Sequence, residues 1–185
     1  MSKVGITGHS KGLGRAIFDR LSVNHECVGF SRSNNYNIVT TPNLIVKQIE
    51  ECDVFVNNAH SGFMQLNLLN MIWQQWRADN TKTIVNISSL ARYPGISQNA
   101  DLYSTQKAAL SHQANIIQRD PNRKCRVINV NPGYMATGMT AHRDERQTSN
   151  MLSASEVANI VCWALSQPQH IEIGEIGVWP TTLAK

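Results

Sequence analysis

The stretch KVGITGHSKGLG, residues 3–14, decides the fold class of this chain. Its first part, Lys3–Thr7, is short, mostly apolar and rich in β-branched residues, a pattern that predicts a buried strand. Three glycines follow at G-x-x-x-G-x-G spacing, directly ahead of a helical pattern over Gly12–Leu21. Glycines at this place allow a tight turn and let the backbone approach a ligand closely. A strand, a glycine-rich turn and a helix N-terminus together predict a site for phosphate groups.

Short apolar runs alternate with helical patterns along the rest of the chain. The strands are predicted at Cys27–Ser31, Asp53–Asn57, Thr83–Ile87, Arg126–Val130 and Glu175–Trp179, with a short additional one at Tyr36–Ile38. The helices are predicted from Pro42 onward and over Met64–Ala78, Asp101–Arg119 and Ser155–Ser166. Short, continuously apolar strands are typical of a parallel sheet that is covered on both faces. We therefore expect one α/β domain over residues 1–185, with a Rossmann-type doubly wound parallel sheet.

Composition and charge exclude several classes of protein. With 42% hydrophobic and 16% charged residues over 185 positions, the chain has the composition of a folded domain. The net charge of +4 is scattered and forms no basic run, so no nucleic-acid partner is expected. No apolar run approaches the ~20 residues that span a bilayer, and the first residues lack an apolar signal region. We expect a cytoplasmic protein that does not bind membranes.

The four cysteines give no indication of a metal site. Cys27, Cys52, Cys125 and Cys162 never occur at C-x-x-C spacing, and no histidine cluster accompanies them. Three of them lie in or beside apolar runs, as expected of buried thiols in a reducing compartment. No metal ligand is therefore predicted.

The end of the second predicted strand bears on the choice of nucleotide. In many dinucleotide sites an acidic residue near this point binds the ribose 2′-hydroxyl. Here Ser31 and Arg32 stand there instead, and Lys11 lies in the glycine loop. Hydroxyl, guanidinium and ammonium groups favour a 2′-phosphate, which a carboxylate would repel. The pattern predicts NADP(H) in preference to NAD(H); the alternative is that both cations are ordinary surface charges.

A tyrosine and a lysine occur at helical spacing in the second half of the chain. Tyr103 and Lys107 stand at i and i+4, so a helix places them on one face. An ammonium group near a phenol lowers the pKa of the phenol, which makes it usable as a general acid or base. The alternative is an exposed pair on an amphipathic helix. Context favours a catalytic pair, because Ser88-Ser89 follows one predicted strand and the sequence NPGYMAT, residues 131–137, follows another.

In this order, the segments TGHSKGLG, NNAH, IVNISS, YSTQK and NPGYMAT resemble the motifs of the short-chain dehydrogenase/reductase family. The resemblance runs from residue 7 to residue 137 and implies hydride transfer between a nicotinamide and a carbonyl or alcohol carbon. It implies that Tyr103 exchanges the proton with the substrate oxygen and that Ser89 orients that oxygen. It also implies that Lys107 holds the nicotinamide ribose and lowers the pKa of the tyrosine.

The resemblance also implies a set of positions around the cofactor. Asn58 and Ala59 are expected near its ribose, Pro132 and Gly133 around the nicotinamide, and Thr137 near the carboxamide. The full set of expected cofactor-binding residues is Gly8, Ser10, Lys11, Gly12, Leu13, Gly14, Ser31, Arg32, Asn37, Asn58, Ala59, Tyr103, Lys107, Pro132, Gly133 and Thr137.

Three features depart from the family pattern. His60 replaces the usual glycine after Asn-Asn-Ala, where it either narrows the pocket or is a partly exposed loop residue. The interval between Asn58 and Ser88 is short, and within it Asn67 is our candidate for the family's helical catalytic asparagine, with Asn70 as the alternative. The substrate lid, from Met135 to about residue 151, is shortened, which predicts an open site or cover from another subunit.

The family further implies a homo-oligomer, a dimer or tetramer, with contacts through the Met64 and Tyr103 helices. Two alternatives to a carbonyl reductase or alcohol dehydrogenase stay open. One is a non-catalytic NADP(H)-binding sensor or regulatory protein. The other is an epimerase, dehydratase or lyase in which the cofactor is recycled. The small-molecule substrate is not specified by one sequence.

Overall fold

Six parallel strands form one sheet in the computed structural model, which describes residues 1–94, 102–136 and 151–181. The strands are β1 Lys3–Thr7, β2 Glu26–Phe30, β3 Val54–Asn57, β4 Thr83–Ile87, β5 Arg126–Pro132 and β6 Glu175–Val178. The α-helices of the described residues are α1 Gly12–Leu21, α2 Pro42–Ile49, α3 Met64–Trp76, α4 Leu102–Gln118 and α5 Ala154–Ser166. Single 3-10 turns at Arg32–Asn34 and Leu90–Arg92 follow β2 and β4.

The strand order is β2-β1-β3-β4-β5-β6, and every neighbouring pair is parallel. The chain therefore leaves β1 toward one edge and, after β2, continues on the other side of β1. This reversal places a topological switch point between the carboxyl ends of β1 and β3, the place where open α/β sheets bind ligands. The expected doubly wound fold is confirmed.

Helices cover both faces of the sheet, as its apolar strands require. On one face, α1 and α5 pack together over a cluster that includes Ile6, Ile17 and Val161. On the other face, α2, α3 and α4 enclose a second cluster that includes Phe55 and Leu69. The four strands β2, β3, β4 and β5 thus contribute side chains to both cores, which holds their carboxyl ends in a defined position.

Most predicted elements agree with the observed ones to within one or two residues, but the short strand at Tyr36–Ile38 is wrong. Asn35 has a φ of 67°, and the N–H of Tyr36 donates to Ser31 O at 2.9 Å, so the chain turns back after β2. Thr41 continues this turn by donating from its N–H to Asn37 O at 2.8 Å. Ile38 is buried in the core from a turn, which explains why its apolar neighbourhood resembled a strand.

Three buried asparagines connect the middle of the sheet. Asn57, Asn86 and Asn129 stand in register on β3, β4 and β5. Asn57 Nδ2 donates to Asn86 Oδ1 at 3.1 Å, and Asn86 Nδ2 donates to Asn129 Oδ1 at 3.1 Å. Since buried amides destabilise a core unless they are hydrogen-bonded, this ladder fixes the relative register of the strands below the candidate site.

None of the described helices is both long and apolar enough to cross a membrane.

Candidate active site

The turn between β1 and α1 is tightly closed and depends on its glycines. Gly8 has a φ of +71°, and its N–H donates to Phe30 O at 2.7 Å. A Cβ on Gly14 would lie 2.2 Å from Gly8 O and 2.5 Å from Asn58 Nδ2, so no side chain fits there. Gly12 also has a positive φ, of 57°, but nothing lies within 4 Å of its Cβ position. The turn therefore packs closely on its inner side and leaves open space over Gly12.

Hydrogen bonds attach this turn to the carboxyl end of β3. Thr7 Oγ1 accepts from the N–H groups of Asn58 and Ala59 at 2.9 and 3.0 Å. Asn58 Nδ2 donates to Thr7 O at 2.9 Å. The side chain of Asn58 thus supports the glycine turn from below, at the switch point of the sheet.

Cationic and hydroxyl groups border the end of β2. Ser31 is buried and its hydroxyl pairs with that of Ser33 at 2.7 Å. Arg32 is exposed, as are Ser10 and Lys11 at the tip of the glycine turn. Neither cation enters an ion pair with any residue that the structure describes, and residues 31–37 contain no carboxylate. The positive charge at this end of the site is therefore not neutralised locally.

His9 is a residue of this turn that sequence reasoning missed. Its ring covers Gly29 of β2 so closely that a Cβ there would lie 2.2 Å from the His9 ring carbon Cγ. The ring also lies 5.3 Å from that of Phe18 on α1. His9 therefore wedges between β2 and α1 beneath the glycine turn. The glycine inside strand β2 was the available signal, because such glycines mark close approaches.

Asn37 has a local role in the turn after β2. Its Oδ1 accepts from the N–H of Val39 at 2.9 Å, and its own N–H donates to Thr41 Oγ1 at 2.8 Å. Its side-chain oxygen thus stabilises the turn of the chain that follows β2.

Tyr103 and Lys107 lie on one face of α4 as their spacing predicts. The Nζ atom of Lys107 is 5.7 Å from the centroid of the Tyr103 ring. Lys107 is only 3% exposed, and burial lowers the pKa of its amine to about 7. Burial has this effect because it disfavours the charged form. The amine therefore changes its charge near neutral pH.

The two serines after β4 play different parts. Ser88 is buried; its hydroxyl donates to Lys107 O at 3.0 Å and accepts from Ser111 Oγ at 2.7 Å, which ties β4 to α4. The Ser89 hydroxyl accepts from the N–H of Ala91 at 3.1 Å and donates to Pro132 O at 3.4 Å. Ser89 thus joins the carboxyl ends of β4 and β5 at the same edge of the sheet as the glycine turn.

Pro132 and Gly133 end β5 beside the last strand. The N–H of Gly133 donates to Val178 O at 2.7 Å, and a Cβ on Gly133 would lie 3.2 Å from the Cβ of Trp179. This close packing holds the Pro-Gly segment against β6. Thr137 lies outside the described residues, as does the rest of the lid segment 137–150. The ends of that segment meet, since Ala136 N–H donates to Leu152 O at 2.9 Å.

His60 lies against the proposed proton donor. Its ring is 5.0 Å from that of Tyr103, with the two planes at 82°. Partial burial, and next the charge of Lys107, lower the pKa of His60 to about 4, while a hydrogen bond to Gln65 acts in the opposite direction. The imidazole is therefore neutral at neutral pH and occupies space beside Tyr103.

Gln65 is the second residue that sequence reasoning missed. It is 1% exposed on α3, and its Oε1 accepts from Lys107 Nζ at 2.8 Å. Asn67, the expected helical amide, is exposed, and its Nδ2 contacts Met64 Sδ at 3.5 Å within its own helix. Gln65 is thus the α3 amide that reaches the lysine. The sequence signal for Gln65 was a polar residue at a position that shares a helix face with apolar ones. The buried residues of α3 are Gln65, Leu68, Leu69, Ile72 and Trp76.

All four cysteines are free thiols, with Cys52 and Cys125 buried. In the part of the chain that the structure describes, no cluster of three or more histidine, cysteine or carboxylate side chains could hold a metal ion.

Curated proteins that are similar to this chain include oxidoreductases and a dehydrogenase. An uncharacterized oxidoreductase of Staphylococcus haemolyticus is 25% identical over 165 residues, which cover 89% of this chain and 66% of the relative. A probable NADP-dependent dehydrogenase of Haemophilus influenzae is 31% identical over 129 residues, 63% of this chain and 48% of the relative. The chain thus spans about half to two thirds of the length of these curated relatives.

A solved structure supports the fold assignment. L-sorbose reductase from Gluconobacter frateurii, in complex with NADPH and L-sorbose, superimposes with a TM-score of 0.77 at 17% identity. The match covers 100% of this chain and 97% of that one, and at this identity it establishes the fold alone. The family model described as short chain dehydrogenase matches residues 32–148, which is more than half of the 185 residues. The chain therefore belongs to the short chain dehydrogenase family.

Proposed function

We propose that this protein is an NADP(H)-dependent oxidoreductase that interconverts a small carbonyl compound and the corresponding alcohol. In the reducing direction the carbonyl carbon gains a hydride and the carbonyl oxygen gains a proton from the Tyr103 hydroxyl. The observation that carries the proposal is the amine of Lys107, buried 5.7 Å from the ring of Tyr103 at the ligand-binding edge of the sheet. Burying a lysine is costly, so such a placement beside a phenol points to chemistry.

The residues at this edge have the properties that a nicotinamide dinucleotide needs. The open space over Gly12 and the closely packed inner side of the turn fit a pyrophosphate at the N-terminus of α1. Pro132 and Gly133 close the opposite end of the site, near Ser89. When bound, the reduced nicotinamide supplies the hydride.

The polypeptide supplies the remaining parts of the reaction. Tyr103 donates the proton, and the Lys107 ammonium lowers the pKa of the phenol by favouring its ionised form. The hydroxyl of Ser89 orients the substrate oxygen toward Tyr103. His60 limits the space beside the Tyr103 ring, which favours small substrates.

The preference for NADP(H) rests on the end of β2. Arg32 and Lys11 are exposed, Ser31 precedes Arg32, and residues 31–37 contain no carboxylate that would repel a 2′-phosphate. A relative described as a probable NADP-dependent dehydrogenase is in keeping with this choice. A location in the cytoplasm and a homo-oligomeric state stay predictions; the second is measurable by light scattering after gel filtration.

The test compares Tyr103→Phe with Tyr36→Phe, which removes a hydroxyl from a tyrosine that packs edge-on against Phe30. Both variants and the parent protein are assayed for NADPH oxidation with a panel of small aldehydes and ketones. We expect Tyr103→Phe to lower kcat/KM by roughly 10²–10⁴-fold, the range for removal of a general acid. We expect Tyr36→Phe to retain activity.

Binding is measured in parallel by quenching of tryptophan fluorescence. NADPH binding that persists in Tyr103→Phe while turnover is lost supports the proposal. Binding without turnover in the parent protein, over the whole panel, would instead support the NADP(H)-binding sensor. An NMR test for an isomerised or dehydrated product, formed without net NADPH consumption, would instead support an epimerase or a dehydratase.

A further inference from the structure

The buried amide of Gln65 has an orientation that hydrogen bonding dictates. Its Nε2 donates to Asn57 O at 2.7 Å and to Ile87 O at 2.9 Å, the last residues of β3 and β4. Carbonyl oxygens only accept hydrogen bonds, so the amide nitrogen, and not the oxygen, must face them. The Oε1 atom is consequently directed to the opposite side.

That opposite side is occupied by Lys107. The lysine Nζ donates to Gln65 Oε1 at 2.8 Å and to Ile87 O at 3.0 Å. An ammonium group has three N–H donors, and these contacts use two of them. The amine is thus held at a fixed point under Tyr103, and within residues 1–94, 102–136 and 151–181 no acceptor takes the third donor.

Gln65 also reaches the other group that flanks Tyr103. The side chain of Gln65 opposes the lowering of the pKa of His60, whose ring stands edge-on against Tyr103 at 5.0 Å. One amide therefore binds Lys107 and also influences His60, and these are two groups that border the phenol. An apolar side chain at this position of α3 would complete the core equally well but would make neither contact.

We propose that Gln65 is the positioning residue of this site: its amide oxygen holds the amine of Lys107 in place and favours the protonated form of that amine. The inference rests on the proposed function, because it matters for activity only if Tyr103 and Lys107 act as a pair. It assigns to Gln65 the place that the sequence pattern assigned to Asn67.

This arrangement has a consequence for the titration of Lys107. Among the described residues, the titratable groups near its amine are Tyr103 on the same helix and His60 from the segment after β3. An acceptor directed at an amine favours its protonated form, so removal of the acceptor lowers the pKa and a negative charge there raises it. Gln65→Met and Gln65→Glu should therefore move the Lys107 midpoint in opposite directions, by about one pH unit each.

The experiment follows the Lys107 Cε and Nζ chemical shifts by NMR against pH in lysine-labelled protein without nucleotide, with Lys107→Arg to assign the signal. The matched control is Gln118→Met. Gln118 is a partly buried amide on α4 that likewise donates to two backbone carbonyls, Val127 O and Gly174 O, but near the amino end of β5. We expect it to lower stability and leave the Lys107 midpoint unchanged.

A second measurement on the unsubstituted protein guards against variants that do not fold. The side-chain amide signal of Gln65 should titrate with the same midpoint as Lys107, and that of Gln118 should not. Opposite shifts in the two variants, or co-titration of Gln65 and Lys107, support the inference. A Lys107 midpoint within about 0.3 units of the parent in both variants, or a Gln65 amide insensitive to Lys107, overturns it.

These readouts separate this inference from the proposed function. If the parent protein reduces no carbonyl but Gln65 and Lys107 titrate together, the proposed function fails and the positioning contact stands. If the parent protein is active and the pH profile of kcat/KM is the same in Gln65→Met, then Gln65 is only a core residue.

Discussion

The glycine turn after β1 and the surroundings of Lys107 lie at the same edge of the sheet, but the turn is formed mainly by backbone and the surroundings of Lys107 largely by side chains. The turn consists mainly of backbone: a positive φ at Gly8, a Cβ-free approach at Gly14 and the hydrogen bond from Gly8 N–H to Phe30 O. Lys107 is instead surrounded by side chains and carbonyls that come from three separate parts of the chain, among them Gln65 on α3 and Ile87 on β4.

The difference explains where each region is sensitive. A backbone-built site fails when a side chain is added, because its function depends on close approach. A site built from buried polar side chains fails when a hydrogen-bond partner is removed, because an unpaired buried group is costly. Four substitutions test this contrast.

The largest effect is expected from Gly14→Ala. The new Cβ would meet Gly8 O at 2.2 Å, so the turn must open, at a cost of about 1–3 kcal/mol in unfolding free energy. We expect NADPH affinity to fall by about 100-fold or more, equal to about 2.7 kcal/mol. Fluorescence titration and urea unfolding measure the two quantities. Gly174→Ala is the control, since its Cβ would come no closer than 3.5 Å to a neighbour. Normal NADPH binding by Gly14→Ala would refute the backbone-built site.

The second effect is the pH dependence of stability that Lys107 confers. Burial lowers its pKa from 10.5 to about 7, so between these values the unfolded chain binds more protons than the folded one. The unfolding free energy contributed by this group therefore rises with pH, by up to about 1.4 kcal/mol per unit, and is constant below pH 7. Lys107→Met should lack this rise.

Urea unfolding of the parent protein and of Lys107→Met at pH 7, 8 and 9 measures whether the rise in unfolding free energy depends on Lys107. The buried thiols of Cys52 and Cys125, whose pKa burial raises to about 11, lower stability above pH 9, but they do so in both proteins. Two stability curves that run parallel over this range would mean that Lys107 is not titrating there.

A smaller effect is expected at the exposed end of the nucleotide site. Arg32→Ala should lower NADPH affinity about tenfold, or about 1.4 kcal/mol, and leave NADH affinity nearly unchanged. The loss should shrink as salt screens the exposed charge. Lys47→Ala on α2, which removes an exposed charge elsewhere, is the matched control. Equal losses for the two nucleotides would contradict a role for Arg32 in binding the 2′-phosphate.

The smallest effect concerns His60. Because the pKa of this histidine is lowered from 6.5 to about 4, the stability that it contributes is present above pH 6.5 and is lost as the pH falls toward 4. His60→Phe keeps a ring against Tyr103 and should lose less stability over that range. Thermal unfolding between pH 4.5 and 7 measures this, with the exposed His170→Phe as control. Identical acid profiles for His60→Phe and the parent protein would show that the imidazole stays solvated.

How well the sequence predicts each region depends on whether that region is formed by residues that are neighbours along the chain. The glycine turn could be read from the sequence because its determinants, Gly8 to Gly14, are neighbours along the chain and each has a local backbone reason. The short strand at Tyr36–Ile38 was wrong because a left-handed Asn35 turns the chain there, which apolar periodicity does not reveal.

Within the proposed catalytic region, local spacing predicted the common helical face of Tyr103 and Lys107 but not their environment. Gln65 is 42 positions from Lys107 in the sequence, and their contact exists only because α3 and α4 pack side by side on the sheet. The same applies to His9, whose fit over Gly29 depends on the pairing of β1 with β2.

Hydrophobic periodicity, glycine spacing and the i, i+4 rule thus establish the strands, the helices and the glycine turn, because each of these acts over a few neighbouring residues. The burial of Lys107, its amide partner and the neutral state of His60 arise only when distant segments meet. Burial and hydrogen bonding act through space, and the distances between side chains in space are set by packing rather than by order along the chain.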